Sequence, residues 1–388
     1  MKLAPFLLDQ WLNRYQFGDP PIRFDLATST GPVWTLRQVL ELADPDKESA
    51  LFDSPLVYTD AAGSSELRSA LALMKSVEPS HIQIFTGAEE AIAITFFLAA
   101  EPGANVIVPF PGFPPFEAIP KALGLEVRRY HLRAQNAFRV DPDEIIGLAD
   151  ANTKLILVNS PHNPTGSIMD AAVLSALHDF AAERGIQFVV DEVYHPIYHH
   201  DQPGRQSGCE PPSAVCLPHA TVLGDLSKAF CLSGLRVGWV VERDRHRSEQ
   251  YCDARSYFTV SNSPTTQILA AAAVEHCETI YARLRHLTTA NLAMLDHFFS
   301  RLGDVLGWVR PEGGMTVFPW LLDGSNSRPM CERLAARGLL TAPGDCWDMP
   351  AHFRIGFGTI ESGFSDCLDE LERQIREYLG HSKARAHS

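Results

Sequence analysis

Three apolar runs in this chain each end in side chains able to do covalent or acid–base chemistry. KLILV (154–158) leads into Asn159, Asn163 and the rest of NSPHNPTG. QFVV (187–190) leads into Asp191, Glu192 and Tyr194, and ATVLGDL (220–226) leads into Ser227 and Lys228. A lysine whose pKa is lowered by burial or by a neighbouring cation is a nucleophile that forms a Schiff base with a carbonyl group. Taken singly, each stretch has a plain structural reading. NPTG is a good turn, an acid after a strand caps a helix, and a lysine is usually solvated. Taken in order, at the ends of successive strands, they argue for one shared site, because ligands of open α/β sheets sit beyond the carboxyl ends of the strands.

The chemistry this set suits is that of a carbonyl cofactor. Pyridoxal 5′-phosphate acts as an electron sink when a carboxylate keeps its ring nitrogen protonated, and Asp191 at a strand end is placed to be that carboxylate. Its phosphate needs a helix N-terminus and an arginine. Gly87 and Ala88 open a helical stretch at 89–100, and Arg236 follows the lysine.

The elements that must position these residues are readable from the pattern. NVIVP (105–109), KLILVNS (154–160), QFVVDE (187–192), ATVLGD (220–225) and RVGWVVE (236–242) are unbroken runs rich in Val, Ile and Leu, the mark of parallel strands buried on both faces. Helical segments lie between them at 89–100, 141–150 and 170–185, the last closed by Gly185. The alternation predicts an α/β fold with a mainly parallel, doubly wound sheet. From about residue 245 the texture changes to a long helical stretch (267–303), the segment EGGMTVFPWLL and a closing helix (365–379). These predict a smaller α+β domain, giving an N-terminal arm over 1–48, a large cofactor domain over 49–280 and a small domain over 281–388.

Bulk properties exclude other classes. The chain has 388 residues, 45% of them hydrophobic, and a formal net charge of −14 with no Lys/Arg-rich run, so neither nucleic acid nor an anionic membrane surface is expected as a partner. The N-terminal MKLAPFLLDQWLNRYQF lacks the pattern of a signal peptide, and no apolar stretch approaches the ~20 residues that span a bilayer. Eight scattered cysteines without a C-x-x-C pair read as reduced thiols of a cytoplasmic protein. The histidines of HPIYHH (195–200) have H-x3-H spacing, but a pair without a third ligand is a weak metal signal, and no metal is expected. Trp34 reads either as a substrate lid or as a residue buried against its own domain.

At this point the sequence resembles the class I and II aminotransferases, pyridoxal phosphate enzymes of fold type I. The resemblance rests on Tyr58, Gly63 and Leu67-Arg68, then TGAEEAI (86–92), PFPGF (109–113), NSPHNPTG, DEVY, LSKAFCLSGLRVGW and FRIGFG (353–358), in the family's order over most of the chain. It implies that Lys228 forms the Schiff base and shuttles a proton, with Asp191 on the pyridine nitrogen and Asn163 and Tyr194 on the ring oxygen. Phe110 is assigned to stack on the ring. Gly87, Ala88, Glu89, Asp225, Ser227 and Arg236 surround the phosphate. Arg354 binds the substrate carboxylate, with Gly31 and Asn163 beside it. Tyr58 reaches the phosphate of a neighbouring subunit, which implies a homodimer with shared sites. Two positions depart from the family. Asp225 stands where Ser or Thr is usual, and Glu89 where Ser is common. Carboxylates repel a phosphate dianion, so either Arg236 neutralises Asp225 or the phosphate grip is altered. FDLATSTGPVWTLRQVLEL (24–42) also departs from the usual lead-in, and together with GGMTVFP (313–319) it looks closer to the capreomycidine-synthase type.

The expected function is therefore transamination between an amino acid and a 2-oxo acid. The alternative is elimination and cyclisation of a hydroxylated arginine, for which Asp225, Glu89 and Glu192 are the candidate partners of a guanidinium. A transcription regulator with an aminotransferase-like domain would need a basic helix-turn-helix module ahead of the fold, and the motif series already begins near residue 24.

Overall fold

The computed structural model describes residues 2–19, 21–199 and 211–386. The apolar runs form the middle of a seven-stranded sheet. In chain order its strands are β1 (Ile82–Phe85), β2 (Asn105–Phe110), β3 (Glu126–His131), β4 (Thr153–Asn159), β5 (Gln187–Asp191), β6 (Ala220–Asp225) and β7 (Gly238–Val241). Their spatial order is β1-β7-β6-β5-β4-β2-β3. β3, β2, β4, β5 and β6 are mutually parallel, whereas β7 runs antiparallel to both β6 and β1. Reading RVGWVVE as one more parallel strand is thus corrected. Periodicity reports burial on both faces, which β7 has, but carries no direction. Two strands gave no clear signal in the sequence. β1 has only four residues, and β3, EVRRYH, lies at the sheet edge, where one half-exposed face admits charge.

Helix α1 (Leu7–Gln16) lies in the N-terminal segment, α2 (Ala88–Ala99) follows β1, and α3 (Ala171–Arg184) leads into β5 and ends on Gly185 in the left-handed region. The helical stretch expected over 267–303 is two helices, Pro264–Glu275 and α4 (Cys277–Arg301), meeting at His276. Two hydrophobic cores result. Sheet residues such as Val106, Ile156, Val189 and Val222 form one with Ile280 and Leu284 from the start of α4. Leu292, Leu295 and Phe298 from the rest of α4 join Leu8, Trp11 and Leu26 and the C-terminal helix α5 (Phe364–Ala386) in the other. A three-stranded antiparallel sheet sits in this second core, with β8 (Thr316–Val317) and β9 (Ala342–Pro343) flanking β10 (Phe353–Gly356). The N-terminal segment is tied to it by parallel pairing of Phe24–Asp25 with Leu339–Leu340. Among the described residues, no helix is long and apolar enough to cross a membrane.

Candidate active site

The carboxyl ends of β4, β5 and β6 lie side by side, with Asn159 opposite Asp191 in register. The chain leaves each of them into a loop that lines one cleft. Its walls are Ala88, Glu89, Ile92, Phe113, Asn159, Asn163, Asp191, Val193, Tyr194, Asp225 and Lys228. The strand-end loops are held by their own hydrogen bonds. The Asn159 amide donates to the Asp191 carbonyl (3.1 Å), and the Asn163 backbone N–H donates to Asn159 Oδ1 (2.9 Å). Val193 N–H donates to Asp191 Oδ1 (3.0 Å), fixing that carboxyl. Lys228 Nζ donates to Ser29 Oγ at 3.2 Å, a contact 199 residues apart in sequence.

The cleft is crowded with acid. Burial first, and then the neighbouring Asp225 and Glu89, pushes the Asp191 carboxyl up to about 7, while Lys228 pulls it the other way. Asp225, also buried, has its carboxyl pushed above the usual range by desolvation, opposed by Lys228. Arg236, in the left-handed region at φ 53°, pairs with Glu89 (3.1 Å) and donates to the Ser233 carbonyl (3.1 Å). On the far side Arg354, 1% exposed, rises from β10. One Nη donates to Asn163 Oδ1 (3.1 Å) and the other to the Ala27 carbonyl, and the guanidinium lies over the Trp347 ring. Among the described residues it forms no ion pair with any carboxylate, and its Nε has no hydrogen-bond partner.

Of the residues singled out from sequence, Lys228, Asp191, Asn163, Tyr194, Asp225, Ala88 and Glu89 line the cleft. Gly87 caps α2 beside them, and Arg236 and Ser227 approach through a 3.5 Å contact. Phe110 does not join them. As the last residue of β2 its ring packs on His131 and beneath Arg129, and Phe113 three residues later lines the cleft instead. Gly31 is likewise displaced. It packs on Cys231 beside Trp34 in a separate surface cavity, and the same segment reaches the lysine through Ser29. Trp34 itself lies beneath Arg283 and is absent from the walls of the Lys228 cleft. Tyr58 is 82% exposed, outside its own chain's cleft. Glu192 is no candidate for a guanidinium site. It accepts from Ser213 Oγ (2.6 Å) and Ala214 N–H (2.5 Å) and faces Lys75 at 3.7 Å. Asp225 is not neutralised by Arg236, whose ion pair is with Glu89. His195 bonds Tyr198 (2.7 Å) and His199 bonds the Gly314 carbonyl (2.9 Å), and the described residues hold no three-ligand metal cluster. His200 lies outside the described residues. Sequence reasoning missed Phe113 and Ser29.

Comparison with known proteins gives a consistent answer. The profile of the aminotransferase class I and II family matches residues 29–363. Capreomycidine synthase of Streptomyces vinaceus is 30% identical over 95% of this chain and 94% of its own length. An aspartate/prephenate aminotransferase of Thermus thermophilus is 29% identical over 84% of this chain and 85% of its own. Among solved structures, a PLP-dependent aminotransferase of Streptococcus suis superposes with a TM-score of 0.88 at 27% identity, covering 97% of this chain and 99% of that one. The PLP-dependent cyclase OrfR does so with a TM-score of 0.87 at 26% identity, covering 97% and 98%. The cleft fits the cofactor these names specify. The Tyr194 hydroxyl is buried without a partner. At the α2 N-terminus, a side chain on Gly87 would collide with Arg236, and one on Gly238 with the Gly87–Ala88 backbone, so a cradle of backbone N–H groups stays open. The chain belongs to the class I and II aminotransferases, enzymes of fold type I that depend on pyridoxal 5′-phosphate.

Proposed function

We propose that the protein is an aminotransferase that takes the amine of an α-amino acid and delivers it to a 2-oxo acid. The observation that carries this reading is Arg354, a buried guanidinium joined to Asn163 and paired with no carboxylate among the described residues. Burial of such a cation is costly unless something anionic completes it, and a substrate α-carboxylate matches its planar fork. When bound, the cofactor supplies the electron sink for charge developing at the substrate's Cα. Lys228 would hold it through its Nζ, and the same amine would carry a proton between the substrate's Cα and the cofactor. Asp191 would pair with the ring nitrogen, and its sealed position would strengthen that ion pair. Tyr194 and Asn163 would hydrogen-bond the ring oxygen. Ala88 N–H, Ser227 and Arg236 would hold the phosphate, and Phe113 would cover the ring.

That last role separates two neighbouring aromatics. Phe113→Leu keeps the apolar volume but loses the stacked face, worth about 1 kcal/mol. It should weaken cofactor affinity roughly fivefold to tenfold in an equilibrium titration, whereas Phe110→Leu should leave affinity unchanged. The reverse result would restore Phe110 to the ring.

The same proposal includes a homodimer in a reducing, cytoplasmic setting. It is supported by the exposure of Leu56, Val57, Tyr58 and Tyr257 on one chain and by the free state of all seven described cysteines.

A second reading is favoured by Asp225 and Glu89 in the cleft and by the full-length similarity to capreomycidine synthase. In it, the enzyme eliminates water from a hydroxylated arginine and closes a ring. One experiment separates the two. Purified holoenzyme is mixed with single amino acids, including arginine and hydroxyarginines, with no oxo acid present. Transamination releases one oxo acid per site and stops. Cyclisation continues over many turnovers with water lost and neither ammonia nor oxo acid formed, whereas elimination without ring closure releases ammonia and an oxo acid together at every turnover.

A further inference from the structure

At the α2 end of the cleft Arg236 stands with two acids, Glu89 and Asp225, and Lys228 faces Asp225 from the following loop. Glu89 occupies Arg236, whose remaining contacts go to Ser233, Ser227 and the Thr86 carbonyl. Asp225 is left without a salt bridge among the described residues and is only 3% exposed. Its carboxyl accepts hydrogen bonds from Ser227, from the backbone N–H at 2.9 Å on Oδ1 and from the side-chain hydroxyl. The charged groups facing it are Lys228 on the following loop, Glu89 on the first turn of α2 and Asp191 at the end of β5, with Arg236 beyond Glu89. A phosphate dianion entering here meets Arg236, Glu89 and Asp225, which together carry a net negative charge if both acids are ionised. It does so where water cannot screen the repulsion.

We infer that Asp225 takes up a proton from solvent as the cofactor's phosphate enters, and holds that phosphate as a neutral carboxylic acid through its O–H. The inference rests on the reading that puts the phosphate at the α2 N-terminus. A protonated carboxylic acid is a hydrogen-bond donor, so it can meet a phosphate oxygen that a carboxylate would repel. Desolvation, the largest influence on Asp225, already favours its neutral form, and Lys228 is the chief force opposing it. The sign follows. A proton taken up on binding is supplied less readily as pH rises, so phosphate affinity falls with pH.

The test compares pyridoxal 5′-phosphate with pyridoxal, which has the same ring and aldehyde but no phosphate, on protein stripped of cofactor and reloaded. Lys228 and Asp191 meet both ligands, so the ratio of the two affinities isolates the phosphate. Titrations run between about pH 7 and about pH 9, above the phosphate's own second ionisation near 6. In the wild type the ratio should fall toward tenfold per pH unit, the slope of one linked proton. In Asp225→Asn and Asp225→Ser, neutral throughout, the ratio should be flat and should exceed the wild-type value at the alkaline end. Calorimetry in buffers of different ionisation enthalpy should find one more proton taken up with the phosphate than without it, and none more in Asp225→Asn. A flat wild-type ratio, or the same slope in both variants, overturns the inference. A ratio near one at every pH means that the phosphate is not held in this cup, and overturns instead the reading on which the inference rests.

Discussion

Replacing Lys228 by alanine is expected to lower single-turnover rates by at least about 10³- to 10⁴-fold while leaving the fold intact. Positioned proton transfer alone is worth about 10²- to 10⁴-fold, and this lysine is assigned covalent attachment as well. Among the described residues no other amine is placed to substitute, since Lys228 is the only lysine of theirs lining the cleft of Asp191, Asn163 and Tyr194. Structurally it contributes little. Its ammonium makes one hydrogen bond, to Ser29, so the melting temperature should move by no more than a few degrees, the shift of about 1 kcal/mol or less. Borohydride treatment and mass measurement of the denatured chain give the decisive control. Wild-type protein should retain the reduced cofactor adduct, and Lys228→Ala should not. An adduct on the variant would remove Lys228 from the role assigned to it.

How much of this was legible in the sequence depends on whether a residue's place is set locally. Lys228, Asp191 and Asn163 were legible because they follow strands buried on both faces, whose unbroken apolar runs mark where the chain must leave the sheet. Gly87 was found as the start of a helical stretch and Arg236 as the arginine that follows the lysine, the two groups a phosphate needs. The misses have a common cause, which is geometry that spacing does not encode. Phe110 and Phe113 are both aromatics in one proline-rich turn, and only the path of the chain beyond β2 decides which ring faces the lysine. Ser29 reaches Lys228 because Phe24–Asp25 pairs with Leu339–Leu340, a contact across more than 300 residues that leaves no local trace. The reversed strand β7 and the break at His276 were hidden in the same way. Strand burial does not report direction, and an apolar helical stripe can pass through a bend without losing its period.

Arg354→Lys is the sharper test of what the site binds, because it keeps a cation and removes the fork. Arg354 stands on β10 between two antiparallel neighbours and is fixed by Asn163, the Ala27 carbonyl and the Trp347 face, so its orientation is set before any substrate arrives. Two charge-assisted hydrogen bonds at about 1.5–3 kcal/mol each put the loss of kcat/KM for an amino acid at roughly 10²- to 10⁴-fold. Most of that loss should appear in KM, since the carboxylate is held equally in the bound and reacting states. Burial lowers the Arg354 pKa from so high a start that the wild-type guanidinium keeps its charge across the working range. A lysine in the same buried place begins lower and is pushed down further. Its cationic form is lost as pH rises, so the KM defect of Arg354→Lys should deepen with pH where that of Arg354→Ala stays constant. An amine substrate without a carboxylate should be processed by wild type and both variants at similar rates. If the variants slow that amine as much as the amino acid, Arg354 is holding the cleft together and the carboxylate lies elsewhere.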